Sequence, residues 1–204
     1  MIALIDYKAG NLTSVKKALT TIGAEWFVPE TPDDLAEATG VIVPGVGHFG
    51  ATRALDQSWI DAILARVGEG RPLFGICLGM QWLFEGSDEA PDLPGLGLLS
   101  GRCYRLNPQS AIHNPQLKVP HVGWNSLEIR CEASIVDRVP DGSQVYFTHS
   151  YVAPVTGDTV AVTRHGETFA AVVRRGHIGG VQFHPEKSGD VGLQILRNFV
   201  ELAG

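Results

Sequence analysis

Pro72-Leu73-Phe74-Gly75-Ile76-Cys77-Leu78-Gly79-Met80-Gln81-Trp82-Leu83-Phe84 is the stretch whose reading decides the fold. The apolar run up to Ile76 predicts a buried strand, and Met80–Phe84 predicts a buried helix. Between them lies a sharp turn with cysteine at its apex. G-x-C-x-G is the cysteine form of a nucleophile elbow, a strained strand-to-helix turn that lifts one side chain above the sheet. A glycine two residues to either side lets neighbouring backbone approach closely. The helix that follows aims its free N–H groups at the sulfur, which favours negative charge there. A cysteine alone is more often a small buried apolar group. The flanking glycines and the strand-before, helix-after setting are what single out Cys77.

Upstream of the elbow the chain alternates strand and helix. Ile2–Ile5, Glu25–Val28, Gly40–Val43 and Leu73–Ile76 read as strands. Ser14–Ile22 reads as a helix stopped at Gly23, and Trp59–Val67 as another. Thr31-Pro32-Asp33-Asp34 is a helix start, with a cap, a proline at the first position and acids at the positive end. Repeated β-α-β units predict an α/β fold with an open, mostly parallel sheet flanked by helices. Downstream, Arg102–Leu106, Leu127–Ile129, Gln144–Val152, Thr159–His165 and Thr168–Arg174 read as strands of a smaller, mainly antiparallel sheet. His165-Gly166-Glu167 reads as a tight turn, and Val191–Leu202 as a closing amphipathic helix. Residues 1–204 are expected to form one domain.

His184-Pro185-Glu186 follows the short strand Gly180–Phe183. Residues two apart in extended chain share a side, so histidine and glutamate are expected to be co-facial. A carboxylate beside imidazole fixes its tautomer and stabilises imidazolium. With the elbow this makes a Cys77/His184/Glu186 triad, the base–orienter pair a thiol nucleophile needs. His149 is the rival base, but no carboxylate stands two residues after it.

Pro44-Gly45-Val46-Gly47 follows the third strand, at the sheet edge where the fourth delivers Cys77. Two readings stay open: a glycine turn, or a peptide N–H near Val46 and Gly47 that joins the Leu78 N–H in an oxyanion hole. Gln81, one helical turn past the elbow, either binds an amide substrate or caps the helix surface. In Tyr146-Phe147-Thr148-His149-Ser150-Tyr151, the polar strand end either holds a substrate or makes cross-strand hydrogen bonds. Lys118-Val119-Pro120-His121-Val122-Gly123-Trp124-Asn125 reads as a Pro/Gly-rich loop, with Trp124 packing or anchoring a protein interface.

Bulk properties narrow the classes. The chain has 204 residues and a net charge of −6, with no basic cluster beyond Arg174-Arg175, which argues against a nucleic-acid partner. No apolar run approaches the length of a membrane span. The start lacks a basic region and cleavage site, and reads as a first strand. Cys77, Cys103 and Cys131 are odd in number and widely spaced, which predicts no disulfide framework and a cytoplasmic protein. Cys103 and Cys131 read as structural. No cluster has metal-ligand spacing.

G-I-C-L-G-M-Q, P-G-V-G and H-P-E together resemble the triad (class I) glutamine amidotransferases, whose fold is flavodoxin-like. I-D-Y-x-x-G-N, P-G-V-G-H-F, K-V-P-H-V-G-W-N and F-T-H-S-Y are similar to the glutaminase subunits of imidazole glycerol phosphate synthase within that family. The resemblance runs from Ile2 to the last helix. It implies Cys77 as nucleophile, His184 as base then acid, and Glu186 as orienter. It further implies oxyanion donors from Leu78 and the Val46–Gly47 segment, and L-glutamine contacts from Gly45, Gln81, His149, Ser150 and Tyr151. The implied partner is a (β/α)₈ cyclase, in a heterodimer, with Asn11, Lys118, Pro120 and Trp124 at or near the interface. No metal or organic cofactor is implied. The other readings are a glutaminase for another synthase, such as that of pyridoxal phosphate, a γ-glutamyl hydrolase, and a non-catalytic flavodoxin-like thiol sensor.

Overall fold

The computed structural model describes residues 1–107 and 118–204. Its strands are β1 (Ile2–Leu4), β2 (Trp26–Phe27), β3 (Gly40–Val43), β4 (Leu73–Ile76), β5 (Gly86–Ser87), β6 (Arg102–Arg105) and β7 (His121–Ser126). They continue with β8 (Glu128–Ile129), β9 (Gln144–His149), β10 (Tyr151–Val152), β11 (Thr159–His165), β12 (Glu167–Arg175) and β13 (Ile178–Val181). The α-helices are α1 (Leu12–Thr21), α2 (Gln57–Gly68), α3 (Leu78–Trp82) and α4 (Gly189–Ala203).

An eight-stranded sheet runs β2-β1-β3-β4-β13-β12-β11-β8. The first five of these strands are parallel, and the remaining pairings are antiparallel. Alternate residues of β1 and of the position after it go to opposite faces: Ile2 and Leu4 pack with α1 and α4, whereas Ala3 and Ile5 pack with Leu35, Ile63 and Trp82. Both faces are covered, which is why these strands read as continuous apolar runs.

Four features differ from the sequence expectation. The β11–β12 hairpin does not form a separate sheet; it joins the main one because β13 lies parallel to β4 and accepts β12 on its free edge. The smaller sheets are β10-β6-β5 and the antiparallel pair β7-β9. Gln144–Val152 is two strands rather than one, since β9 pairs with β7 and β10 pairs with β6, with Ser150 at the switch. His121–Ser126 is a strand, not a loop, because all six of its residues pair with β9. Thr31-Pro32-Asp33-Asp34 starts a short 3₁₀ helix, Pro32–Glu37, rather than an α-helix, and Thr31 and Asp34 cap it reciprocally.

The elbow glycines are dictated by packing. A Cβ on Gly79 would stand 1.8 Å from the Val43 carbonyl oxygen, and one on Gly75 2.5 Å from the Gly79 backbone. β3, β4 and α3 therefore meet backbone to backbone, and Cys77 is forced out at the carboxyl edge of the sheet.

Candidate active site

Cys77 sits at the junction of β4 and α3 with φ +53° and ψ −105°. That region is sparsely populated for a residue with a Cβ and costs about 1–3 kcal/mol. The surroundings hold it there: its N–H donates to Val181 at 2.8 Å, and its carbonyl accepts from the Gln81 N–H at 3.1 Å. The sulfur is 4.0 Å from the Thr148 carbonyl oxygen and 3.7 Å from Gln182 Nε2.

His184 arrives from the end of β13, the neighbour of β4. Its Nδ1–H donates to Glu186 Oε1 at 2.8 Å, and both side chains are only 1% exposed. The carboxylate can only accept, so the tautomer follows. The pair does not meet by sharing one side of an extended strand. Pro185–Lys187 is a 3₁₀ turn with proline at its start, and the turn folds Glu186 back onto the imidazole. Ser188 pins this turn: its hydroxyl donates to the His184 carbonyl at 2.7 Å and accepts from the Tyr146 N–H at 3.0 Å. His184 Nε2 is buried and completes no hydrogen bond of full geometry. Burial pulls the imidazole pKa down, but the Cys77 charge and a partial hydrogen bond to the sulfur, then Glu186, outweigh it and raise it to about 10.

Gly45-Val46-Gly47 lies beside the elbow. The Val46 N–H donates to the Ala9 carbonyl at 2.9 Å, away from the sulfur. The Gly45 carbonyl points the other way and accepts a long hydrogen bond, 3.4 Å, from the Leu78 N–H. The two N–H groups expected to converge are therefore not convergent here; the Leu78 N–H meets the Gly45 carbonyl oxygen instead. Gly47 has φ +98° with nothing within 4 Å of a would-be Cβ, so conformation rather than space requires glycine.

A cavity of about 310 Å³ opens over the sulfur, lined by Gly47, Cys77, Leu78, Gln81, Glu89, Pro120 and Thr148–Tyr151. Gln81 neither caps the helix surface nor offers its amino group to the cavity. It is buried, and its Nε2 donates to the Tyr151 carbonyl at 2.8 Å and to Gln182 Oε1 at 3.1 Å. His149, expected at an exposed strand end, is buried. Its Nδ1–H donates to the Tyr151 carbonyl at 3.1 Å, and its Nε2 is 3.3 Å from His121 Nδ1. Burial and the neighbouring His121 hold it well below the ordinary histidine range. Both ring nitrogens are committed away from the sulfur.

Pro120 reaches the cavity rim, while Trp124 stands on the outward face of β7 beside Val122, each 57% exposed. Asn11 caps α1 and its Nδ2 donates to Ser14 Oγ at 2.7 Å. The Lys118 carbonyl accepts from His165. Of the other cysteines, Cys103 is buried, which pushes its thiol pKa up, whereas Cys131 is exposed.

Sequence reasoning missed Glu89, Gln182 and Ser188. Glu89 is the only carboxylate on the cavity wall among the described residues, and it accepts from the Phe49 N–H at 2.6 Å. Its loop carried no local signal. Gln182 did carry one: a glutamine within the apolar run Val181-Gln182-Phe183 needs a buried partner.

The profile of the glutamine amidotransferase class-I family matches residues 3–202, and the chain belongs to that family. Within it, the chain belongs with the imidazole glycerol phosphate synthase subunits named HisH. It is 45% identical over 202 residues to that subunit of Bacillus cytotoxicus, covering 98% of this chain and 93% of the relative. Identity to the subunit of Halalkalibacterium halodurans is 47% over 204 residues, with 98% and 94% covered. Among solved structures, a glutamine amidotransferase matches with TM-score 0.76 and 25% identity over the whole of both chains. PurLQS from Thermotoga maritima matches with TM-score 0.74 at 18% identity over 98% of this chain and 97% of that one, a likeness of fold alone.

Proposed function

We propose that this chain hydrolyses L-glutamine to glutamate and ammonia, with Cys77 as nucleophile, His184 as acid and base, and Glu186 as orienter. The observation that carries the reading is a strained cysteine and a buried His–Glu pair converging beneath one cavity. The Cys77 thiolate attacks the carboxamide carbon, forming a C–S bond. The C–N bond breaks as imidazolium His184 gives its proton to the leaving nitrogen, and ammonia departs. Water then attacks the thioester, His184 takes its proton, and sulfur leaves as thiolate with glutamate. The charges around His184 suit both steps. The thiolate is the strongest influence keeping it protonated; once sulfur is acylated that charge is gone, and burial favours the neutral base.

Glu89 supplies the negative charge that the substrate's α-ammonium needs. Gly45 and the Ser150–Tyr151 backbone form the rest of the glutamine wall. The oxyanion requires rotation of the Gly45–Val46 peptide, which withdraws the Gly45 carbonyl and turns the Val46 N–H toward the Leu78 N–H.

The ammonia goes to a (β/α)₈ cyclase, the second subunit of imidazole glycerol phosphate synthase. The exposed pair Val122 and Trp124 next to Pro120 suits a protein interface beside the cavity mouth, with Asn11 and Lys118 at its margin. Three free cysteines suit a cytoplasmic setting. The test is a coupled assay with the cyclase and its nucleotide substrate: glutamate and imidazole product are expected in equal amounts. Product without glutamate release would overturn the reading.

A further inference from the structure

The polarity of two buried amides near the nucleophile can be worked out from a group that has no choice. The Tyr151 carbonyl oxygen can only accept. The Gln81 side-chain atom 2.8 Å from it must therefore be the amino nitrogen. That nitrogen is also 3.1 Å from an atom of Gln182, which must then be the carbonyl Oε1. Only one orientation of Gln182 remains, and it puts the amino group toward the sulfur, 3.7 Å from Sγ. Both hydrogens of Gln81 are used, so neither amide can turn over without leaving a buried polar atom unpaired. Gln182 is 0% exposed and Gln81 3%, so no water competes for these bonds. The backbone is fixed as well: the Gln182 N–H donates to the Ala171 carbonyl at 2.9 Å.

We propose that Gln182 is a positioning residue for the nucleophile, its amide donating to the Cys77 sulfur in an orientation enforced by Gln81 and the Tyr151 carbonyl. The sulfur has two polar neighbours of opposite character. The Thr148 carbonyl oxygen, at 4.0 Å, accepts from the neutral thiol and repels the thiolate. The Gln182 N–H attracts both, and the thiolate more strongly, because hydrogen bonds to a charged acceptor are the stronger kind. Gln182 thus favours the reactive form and holds it at the cavity floor. This rests on Cys77 being the nucleophile.

The test separates the two claims. Alkylation of Cys77 by iodoacetamide is followed against pH in the full chain by the mass of the Cys77 peptide, which excludes the exposed Cys131. Gln182→Met keeps length and removes the donor. Its alkylation is expected to be ~10-fold slower at pH 7, with the pH midpoint ~1 unit higher. Gln182→Glu, isosteric but an acceptor facing the sulfur, is expected to be slower still. Gln81→Met frees Gln182 to turn over, so it should shift the profile the same way, and Gln81→Met/Gln182→Met should be no slower than Gln182→Met alone. A profile unchanged in Gln182→Met, checked as folded by its thermal melt, overturns the proposal; if that variant does not fold, an unchanged Gln182→Glu does so. Additive slowing in the double variant overturns the enforcing role of Gln81. Absence of glutamate release from the wild-type complex would instead sink the glutaminase reading, with the alkylation profile still reporting on Gln182.

Discussion

The wall of the site that carries Cys77 and the buried wall beneath it that carries His184 hold their backbones in opposite ways. On the nucleophile side, between β3 and α3, the chain is strained and lightly bonded. Cys77 has a positive φ, Gly47 has φ +98°, and a 3.4 Å hydrogen bond is all that links the Gly45 carbonyl to Leu78. On the base side, at the end of β13, the turn and its neighbours are tied by short hydrogen bonds. Glu186 holds His184, Ser188 holds the turn to β9, and His149 and Gln81 both hold the Tyr151 carbonyl. The proposed mechanism makes the first the moving part and the second the fixed part. Proton transfer needs a base that does not wander, whereas a switchable glutaminase needs an oxyanion site that can be left unmade.

The largest effects should come from the chemistry both walls share. Cys77→Ala is expected to abolish glutamate release while the complex still makes product from added ammonium salts. Residual release near the wild-type rate would remove Cys77 from the account. On the fixed wall, His184→Ala should lose ~10²–10⁴ in rate. Glu186→Gln should lose less, because it keeps the hydrogen-bond shape without the charge. If Glu186→Gln were the more damaging of the two, holding the base would matter more than the base itself, and the contrast would need redrawing.

The moving wall is tested by Gly47→Ala. Space around Gly47 is open, so alanine meets only the cost of φ +98°, about 1–3 kcal/mol. That cost falls on the resting conformation, so the ratio of stimulated to basal glutaminase rate should drop by ~5-fold or more, with cyclase binding no weaker. An equal ratio in wild type and variant would separate Gly47 from the rotation.

The smallest effect is on stability. Burial and the neighbouring His165 depress His121 to about 4, and His149 is depressed as well. The unfolded chain binds protons at both sites from about pH 6.5 downward while the folded chain does not. The contribution of these two histidines to stability is therefore fully present above 6.5 and falls as pH drops toward 4. Carboxylates held low, such as Asp34 and Asp56, act only below that window. A melting temperature flat between pH 6.5 and 4.5 would show the His121–His149 pair to be looser than the base-side wall requires.

Much of the moving wall was legible in the sequence. Gly40–Val43 and Leu73–Ile76 are unbroken apolar runs bounded by turns, and the elbow glycines announce close backbone approach. The fixed wall was legible only in His184 and Glu186. Ser188, Glu89 and the β7–β9 pairing depend on contacts forty or more residues apart along the chain or on a topology that local pattern does not encode. The direction of the Gly45–Val46 peptide was not legible at all, since either orientation satisfies the same residues.

That peptide decides whether the proposed oxyanion site is made. The most direct measurement is the rate of glutamate release by the wild-type chain alone, set against the rate with the cyclase and its nucleotide ligand. With the Leu78 N–H on the Gly45 carbonyl and one donor missing, the isolated chain should be slower by ~10²–10³, the worth of one such donor. An isolated chain already running at the rate of the complex would contradict a gated oxyanion hole.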